Sequence, residues 1–206
     1  MKALAFTDPE FVVFTTRDYA YAADVALATA SRQLGRAADD GSLARVTRGI
    51  WANTKHPFFH PLVCVPKLLA NEQGYVSFLT ALQHHGVIEQ LPRTIQIATT
   101  GHARKLDSPV GRFEFFHVTP RLMRDGVEWS DSRIPFPIAC AEKALLDAFY
   151  VSLRRGRRFR ALPELDLAPL TKRRFVGLLD RIDDPRVRSS VRARFDEAWA
   201  RRRSGE

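Results

Sequence analysis

Few acidic residues in this sequence are spaced for catalysis. Glu142 and Asp147 are five positions apart in a stretch that predicts a helix, and paired carboxylates can perform acid–base or metal chemistry. On a straight helix, however, that spacing turns the two side chains about 140° apart, so they cannot serve one site. We therefore expect Glu142 to lie at the positive end of the helix dipole and Lys143 to pair with Asp147 one turn along.

The histidines, glycines and serines form no pattern typical of a cofactor or metal site. His56 and His60 are four residues apart, but Pro57 and Pro61 interrupt the helix that would align them on one metal ion. The sequence contains no glycine-rich phosphate loop and no serine in a nucleophile-elbow motif. It therefore predicts no catalytic residue, no metal site and no cofactor, and we expect the protein not to be an enzyme.

Side chains near the N-terminus are suited instead to hydrogen bonding with DNA. A helix predicted over 25–39 has an outward face that lacks acidic residues until its end and carries Thr29, Arg32, Gln33 and Arg36. In the major groove arginine pairs with guanine and glutamine with adenine. We expect Thr29, Arg32 and Gln33 to contact bases and Arg36 to contact a phosphate.

The elements that would position these side chains follow in the order helix, turn, helix and hairpin. A short helix over 17–22 follows the capping pair Thr15-Thr16. The inward face of the second helix has apolar residues spaced three and four apart: Leu27, Ala30, Leu34 and Ala37 or Ala38. Gly41 would end this helix in the left-handed conformation. Arg48-Gly49 would form the turn between two short strands.

This order of elements is typical of a winged helix-turn-helix, in which the second helix enters the major groove and the hairpin contacts the backbone. The hairpin would then add phosphate contacts from Arg45, Thr47 and Arg48. The alternative is an amphipathic helix with a solvated polar face, followed by a hairpin without a role in binding.

The proline-containing segment 53–61 predicts a linker. It divides the chain into a winged helix-turn-helix domain over 1–53 and a mixed α/β domain over 62–206 that ends in helices. We expect the α+β class. In the second domain, helices are predicted over 62–71, 76–85, 138–152, 169–182 and 185–203, and strands over 93–99 and 112–118.

The composition is that of a folded globular protein with a polyanionic partner. Among 206 residues, 45% are hydrophobic and 27% charged, which excludes a disordered chain, a collagen and a coiled-coil rod. The net charge of +9 indicates nucleic acid first and an anionic membrane surface second. The sequence has no long apolar run and no secretory signal pattern, so we expect a cytoplasmic protein. Cys64 and Cys140 are expected to be buried thiols.

The positive charge is concentrated in the last quarter of the chain. Residues 1–53 have six basic and six acidic residues, whereas residues 151–206 have sixteen basic and eight acidic. The densest cluster comprises Arg154, Arg155, Arg157, Arg158 and Arg160, which could hold DNA phosphates or lie on a solvated helix face. If the cluster binds phosphates, removing residues after about 150 weakens DNA binding and its salt dependence but preserves sequence preference.

Several segments resemble one family of regulators. The runs Phe14-Thr-Thr-Arg-Asp18, Arg32-Gln-Leu-Gly-Arg36 and Asp40 to Trp51 are similar to the N-terminal domain of the AbiEi antitoxin family. Its hairpin motif, G-x-L-x-R-x-x-R-G-x-aromatic, is matched by Gly41, Leu43, Arg45, Arg48, Gly49 and Trp51. The similarity continues at 75–82 and at 138–147, where the family has a helix of the pattern A-x-x-E-K-A-L-L-D.

The resemblance implies a transcriptional regulator of a type IV toxin–antitoxin system. Its winged domain would repress its own operon by binding double-stranded DNA at inverted repeats. The domain over 62–206 would act as an antitoxin against a nucleotidyltransferase-like toxin without requiring a tight complex. Residues 1–13, interrupted by Pro9, are too short for the family's first helix, so the winged domain is incomplete or is completed by the C-terminal part. The alternative is a protein-interaction module whose winged helix does not bind DNA, which the neutral charge of 1–53 favours.

Overall fold

The structure, a computed structural model, describes residues 9–154 and 162–204. Within these residues the chain forms helices together with a three-stranded and a six-stranded sheet. The predicted α+β class is therefore confirmed.

The N-terminal elements surround the three-stranded sheet. A 3₁₀ turn is followed in chain order by β1 (Val13–Thr15), α1 (Thr16–Ala23), α2 (Leu27–Asp39), β2 (Ala44–Thr47) and β3 (Ile50–Ala52). The sheet has the order β1-β3-β2 and is antiparallel throughout. The two helices precede the hairpin, as the sequence predicts, while the strand β1 before them was not predicted.

Local signals define the ends of these elements. Thr15 and Asp18 form a capping box at the start of α1, in which each side chain accepts a hydrogen bond from the backbone N–H of the other. Asp24 ends α1 in the left-handed conformation. Gly41 after α2 and Gly49 in the hairpin turn have φ angles of +74° and +79°, which glycine adopts without steric cost.

The three-stranded sheet is covered on both faces, because alternate side chains of a strand point to opposite sides. On one face Phe14 and Trp51 form a small core with Leu34 of α2. On the other face Val13 and Ala52 belong to the main core of the chain. The N-terminal elements therefore pack directly on the residues that follow the proline-containing segment.

The six-stranded sheet forms the centre of the remaining chain. Its elements and the short helices between them are α3 (Val65–Leu69), β4 (Gly74–Val76), α4 (Phe78–His84), β5 (Ile95–Thr99), β6 (Arg104–Ser108), β7 (Gly111–His117), β8 (Val127–Trp129) and β9 (Pro137–Ala139). The order is β6-β7-β5-β4-β9-β8. The pairs β5–β7 and β4–β9 are parallel and the others antiparallel.

Three helices complete the fold: α5 (Ala141–Arg154), α6 (Lys172–Leu179) and α7 (Pro185–Ser204). Every residue of α5 from Ala141 to Ser152 is buried, since the helix is surrounded by the other helices and the sheet. Phe175 of α6 and Phe195 of α7 are fully buried and stacked, with ring centroids 3.8 Å apart. The C-terminal helices are therefore part of the main core.

Several predicted boundaries were wrong because short central strands leave little pattern in a sequence. The helix predicted over 76–85 begins only at Phe78, since Gly74–Val76 pairs between β5 and β9. The helix predicted over 138–152 begins at Ala141 for the same reason. Leu27, predicted to face inward, is 51% exposed, because it is the first residue of α2 and extends past the small core.

Candidate nucleic-acid interface

The exposed face of α2 carries two exposed guanidinium groups. Arg32 and Arg36 are exposed, while Ala30 and Leu34 on the opposite side are buried. Arg32 donates a hydrogen bond of 3.4 Å to the hydroxyl of Thr29, one turn earlier. Within the described residues neither guanidinium forms an ion pair. Both are therefore available to an acceptor or an anion from outside the chain.

Gln33 lies on the flank of α2 rather than on its most exposed face. Its side chain is half-buried, and its Oε1 is buried without a hydrogen-bond partner in the described part of the chain. An unpaired buried amide oxygen costs about 1–3 kcal/mol, and an outward rotation of the side chain would relieve that cost. The structure therefore groups Thr29 with Arg32 and Arg36 and places Gln33 beside them.

The hairpin adds two exposed arginines and one half-buried threonine: Arg45, Arg48 and Thr47. The Cζ atom of Arg45 lies 5.6 Å from the ring centroid of Trp51, so the guanidinium is held over the indole. The Trp51 Nε1–H donates to the hydroxyl of Thr16 at 2.9 Å. The hairpin that carries these arginines is thereby attached to the start of α1.

The acidic residues of the N-terminal elements lie at or near helix ends, and Asp39 is exposed at the last position of α2. The Asp18 carboxylate accepts a hydrogen bond of 2.7 Å from Lys67 of α3. Partial burial alone would raise the pKa of Asp18, but the hydrogen bonds from Lys67 and Thr15 outweigh it and lower that pKa. Asp40, after α2, accepts from the Ser42 N–H, and hydrogen bonding first with the side chain and then with the backbone of Ser42 lowers the pKa of Asp40.

Only one member of the predicted basic cluster lies in the described part of the chain. Arg154 donates to the hydroxyl of Tyr150 and lies over its ring, with Cζ 5.4 Å from the centroid. The other members, Arg155, Arg157, Arg158 and Arg160, lie outside the described residues.

Most described basic side chains of the last two helices are paired with acids. The ion pairs of these helices and of the loop between them are Lys172–Asp196, Arg174–Glu142, Arg181–Asp125, Arg188–Asp180, Arg192–Asp196 and Arg201–Glu197. Residues 162–201 contain nine basic and seven acidic residues. The excess charge of the last quarter therefore belongs to the arginines of 154–160 and of the chain end.

A buried polar cluster that the sequence did not predict lies between β4 and α5. The Lys143 Nζ donates to the carboxylate of Asp147 and to the Tyr75 hydroxyl, the latter at 2.5 Å. Asp147 Oδ2 also accepts from the Tyr75 hydroxyl at 3.0 Å and from the Ser77 hydroxyl at 2.8 Å. The predicted pairing of Lys143 with Asp147 is confirmed, but it lies in the core rather than on the surface.

The environment of this cluster indicates a structural role. All four side chains are at most 2% exposed, so no substrate reaches them without a change in the fold. Burial lowers the pKa of Lys143, and burial together with the charge of Asp147 raises that of Tyr75. The available signal was two spacings: Tyr75 in β4 and Ser77 just after it are two residues apart in extended backbone, and Lys143 and Asp147 share one helix face.

The remaining candidates for chemistry have separate structural partners. The Glu142 carboxylate accepts a hydrogen bond of 2.8 Å from the Thr171 N–H just before α6, so it shares no site with Asp147. His56 Nδ1 accepts from the Phe58 N–H, whereas His60 packs edge-on against Phe136. Among the residues that the structure covers, no three His, Cys, Asp or Glu side chains are grouped to hold a metal ion.

The two cysteines are both buried and unpaired, as predicted. Burial raises the pKa of the Cys64 thiol to about 12 and that of Cys140 to about 11. Both thiols are therefore protonated at neutral pH and are poor nucleophiles.

Comparison with known proteins gives no independent assignment. No family model matches the chain, and no curated protein matches it significantly. In residues 9–154 and 162–204, no helix combines the length and apolar character needed to cross a membrane. The family resemblance carried by the hairpin and by 138–147 stays a prediction.

Proposed function

We propose that this chain is a DNA-binding transcriptional regulator of the winged helix-turn-helix type. The observation that carries the proposal is the exposed face of α2, where Arg32 and Arg36 project without an acidic partner in the described chain. DNA-binding domains of this type have the order helix, turn, helix and hairpin. The second helix is exposed and enters the major groove. Arg32 would contact base edges and Arg36 a phosphate.

The remaining surface of α2 favours a close approach to DNA. Ala28, Ser31 and Gly35 are small residues on the exposed or half-exposed sides of the helix, so the backbone can approach the bases. Thr29 is hydrogen-bonded to Arg32 and would orient its guanidinium. Gln33 would reach an adenine by turning its buried amide outward.

The charge distribution favours a protein that binds DNA as more than one subunit. The range 1–53 has no net charge, so each copy would make few phosphate contacts, and binding to inverted repeats would double that number. The arginines of 154–160 would supply additional contacts that do not depend on sequence.

We further propose that the regulator is an antitoxin-type autorepressor of a type IV toxin–antitoxin operon, linked in function to a nucleotidyltransferase-like toxin and acting in the cytoplasm. Support comes from the resemblance of 75–82 and 138–147 to the AbiEi family. These two segments supply the buried cluster of Tyr75, Ser77, Lys143 and Asp147. The motif that carries the resemblance would thus maintain the fold of the C-terminal part.

The proposal is tested by an electrophoretic mobility shift with the DNA upstream of the protein's own operon. We expect a shift at low salt that unlabelled upstream DNA removes at far lower concentration than a scrambled duplex of equal length. Arg32→Ala/Arg36→Ala should abolish the shift. The matched control is Arg173→Ala, an exposed arginine on α6, which should leave the shift unchanged. Equal competition by both duplexes would overturn the proposal.

The second candidate is a protein-interaction module that does not bind DNA. It is favoured by the exposure of two apolar side chains beside the same helices, Tyr21 at 92% and Leu27 at 51%. For that function, Tyr21→Ser/Leu27→Ser would abolish binding to the nucleotidyltransferase-like toxin proposed as its partner, while Arg32→Ala/Arg36→Ala would not. The two candidates therefore predict opposite sets of sensitive residues.

A further inference from the structure

Trp51 joins the hairpin to the small N-terminal core. It is 4% exposed and packs with Phe14 and Leu34, and its ring faces the guanidinium of Arg45 at 5.6 Å. The register of β2 and β3 places Arg45 directly opposite Trp51. Directly opposed residues lie on the same face of a sheet, so strand pairing itself sets this contact.

Two hydrogen bonds fix the hairpin on the start of α1. The indole Nε1–H of Trp51 donates to the Thr16 hydroxyl at 2.9 Å. The backbone N–H of Thr16 donates to the carbonyl oxygen of Gly49, in the hairpin turn, at 3.0 Å. Thr16 therefore holds both the ring and the turn, and the position of the Arg45 guanidinium follows from the position of α1.

The guanidinium that Trp51 supports belongs to an exposed side chain. Arginine carries five N–H donors in a fork that matches a phosphate, and a contact of its charge with an aromatic ring leaves donors available for an anion. Arg45 is exposed and forms no ion pair among the described residues. A long side chain that is already oriented loses less rotamer freedom when it binds.

We propose that Trp51 is a positioning residue for DNA binding. Its ring holds the Arg45 guanidinium, and its indole N–H fixes the hairpin on α1, so that Arg45 meets a backbone phosphate beside the groove that α2 enters. This inference rests on the proposed function, and it assigns to the aromatic residue of the hairpin a role beyond filling the core.

A double-mutant cycle tests the inference. The affinity of the full chain for the upstream duplex is measured at several salt concentrations for wild type, Trp51→Met, Arg45→Ala and the double variant. We expect Trp51→Met to weaken DNA binding about 2- to 5-fold when Arg45 is present, which is the range of an exposed cation–π contact. When residue 45 is alanine, Trp51→Met should have no further effect. Both single variants should lower the slope of log affinity against log salt, by about one for Arg45→Ala.

Arg48 provides the matched control, because it lies in the same hairpin. Trp51→Met should weaken binding by the same factor with arginine or alanine at position 48. Thr16→Val, which leaves the buried ring in place, provides a second variant if Trp51→Met does not fold, and it should also weaken binding only when Arg45 is present.

The outcomes separate the two proposals. If wild type binds the upstream duplex selectively but the Trp51 and Arg45 effects simply add, the positioning role is overturned and the proposed function stands. The same holds if neither Trp51→Met nor Thr16→Val changes the affinity. If wild type does not select the upstream duplex, the proposed function fails and the role of Trp51 fails with it.

Discussion

Lys143 is a charged residue in the protein core, where a charge is tolerated only when it is paired and hydrogen-bonded. Its amine is fully buried and donates to Asp147 and Tyr75. Removing one member of a buried ion pair leaves the other charge uncompensated, which costs far more than the pair itself contributes. The loss of Lys143 alone should therefore cost more than the Lys143–Asp147 pair contributes to stability.

We expect Lys143→Met to lower the free energy of unfolding by about 3–5 kcal/mol, because the buried Asp147 carboxylate loses its counter-charge. The double variant Lys143→Met/Asp147→Asn should be more stable than the single one, since asparagine is neutral and still accepts from Tyr75 and Ser77. Urea unfolding measures both values. Lys172→Met, which breaks a half-exposed pair with Asp196, should cost less than about 1 kcal/mol. A double variant less stable than Lys143→Met would contradict this account.

Two features require a glycine at position 126: its backbone conformation and the closeness of Lys143. Its φ angle is +74°, and a Cβ atom there would lie 2.8 Å from Cβ of Lys143. We expect Gly126→Ala to destabilise the protein by about 1–2 kcal/mol from the left-handed backbone alone, with the contact adding to that. Gly177 in α6 has open space around it, so Gly177→Ala should stabilise by about 0.5–1 kcal/mol. Thermal unfolding of the two variants should show shifts of opposite sign.

Individual residues also mark the limit of sequence-based prediction. The Lys143–Asp147 pair follows from helix spacing alone, but its burial depends on Tyr75, about seventy residues earlier, which no local pattern reveals. Leu27 fits the apolar spacing of α2, but the spacing does not show where the core ends.

At the scale of elements, the caps and the turn of the N-terminal elements were predicted better than the strands of the six-stranded sheet. Thr15, Gly41 and Gly49 act on their immediate neighbours, so their roles can be deduced from the local sequence. The strands β4 and β9 have three residues each and exist because they pair with each other and with their outer neighbours. Such pairing joins segments about sixty residues apart, and a short apolar run does not encode it.

The helix α2 is the element on which the proposed function depends. We expect Arg32→Ala to reduce affinity for the preferred DNA sequence by about 1–3 kcal/mol and to relax the preference at one base pair. Arg36→Ala should weaken binding to all sequences alike and lower the salt slope by about one. Competition titrations with single-base variants of the upstream duplex distinguish these effects. The same uniform loss for both variants would contradict the base-contacting role of Arg32.

At the scale of the whole molecule, the C-terminal helices cannot be removed to test the basic cluster. Phe175 and Phe195 are fully buried in the main core, so truncation after about 150 would unfold the protein as well as remove charge. Replacing Arg155, Arg157, Arg158 and Arg160 by glutamine removes their charge and leaves α6 and α7 in the chain. We expect weaker DNA binding, a lower salt slope and an unchanged sequence preference. An unchanged salt slope would show that the cluster does not bind phosphates.

The stability of the whole molecule should depend on pH through two histidines near Phe136. Burial, and then the charge of a neighbouring histidine, lowers the pKa of His60 and of His84 below the usual 6.5. The unfolded chain therefore binds protons more tightly than the folded chain, and stability falls as the pH drops below about 6.5. Urea unfolding at pH 7.5 and pH 5.5 should show this loss, and His60→Asn/His84→Asn should reduce it. A loss of equal size in that variant would assign the pH dependence to other groups.

The central claim is that α2 contacts base edges in the major groove, and methylation interference on the upstream duplex tests it most directly. Guanine N7 lies in the major groove and adenine N3 in the minor groove. The account predicts that N7 methylation of specific guanines blocks binding by wild type, and that at least one of these guanines no longer matters for Arg32→Ala. Binding that is insensitive to guanine N7 methylation, or sensitive only to adenine N3 methylation, would contradict it.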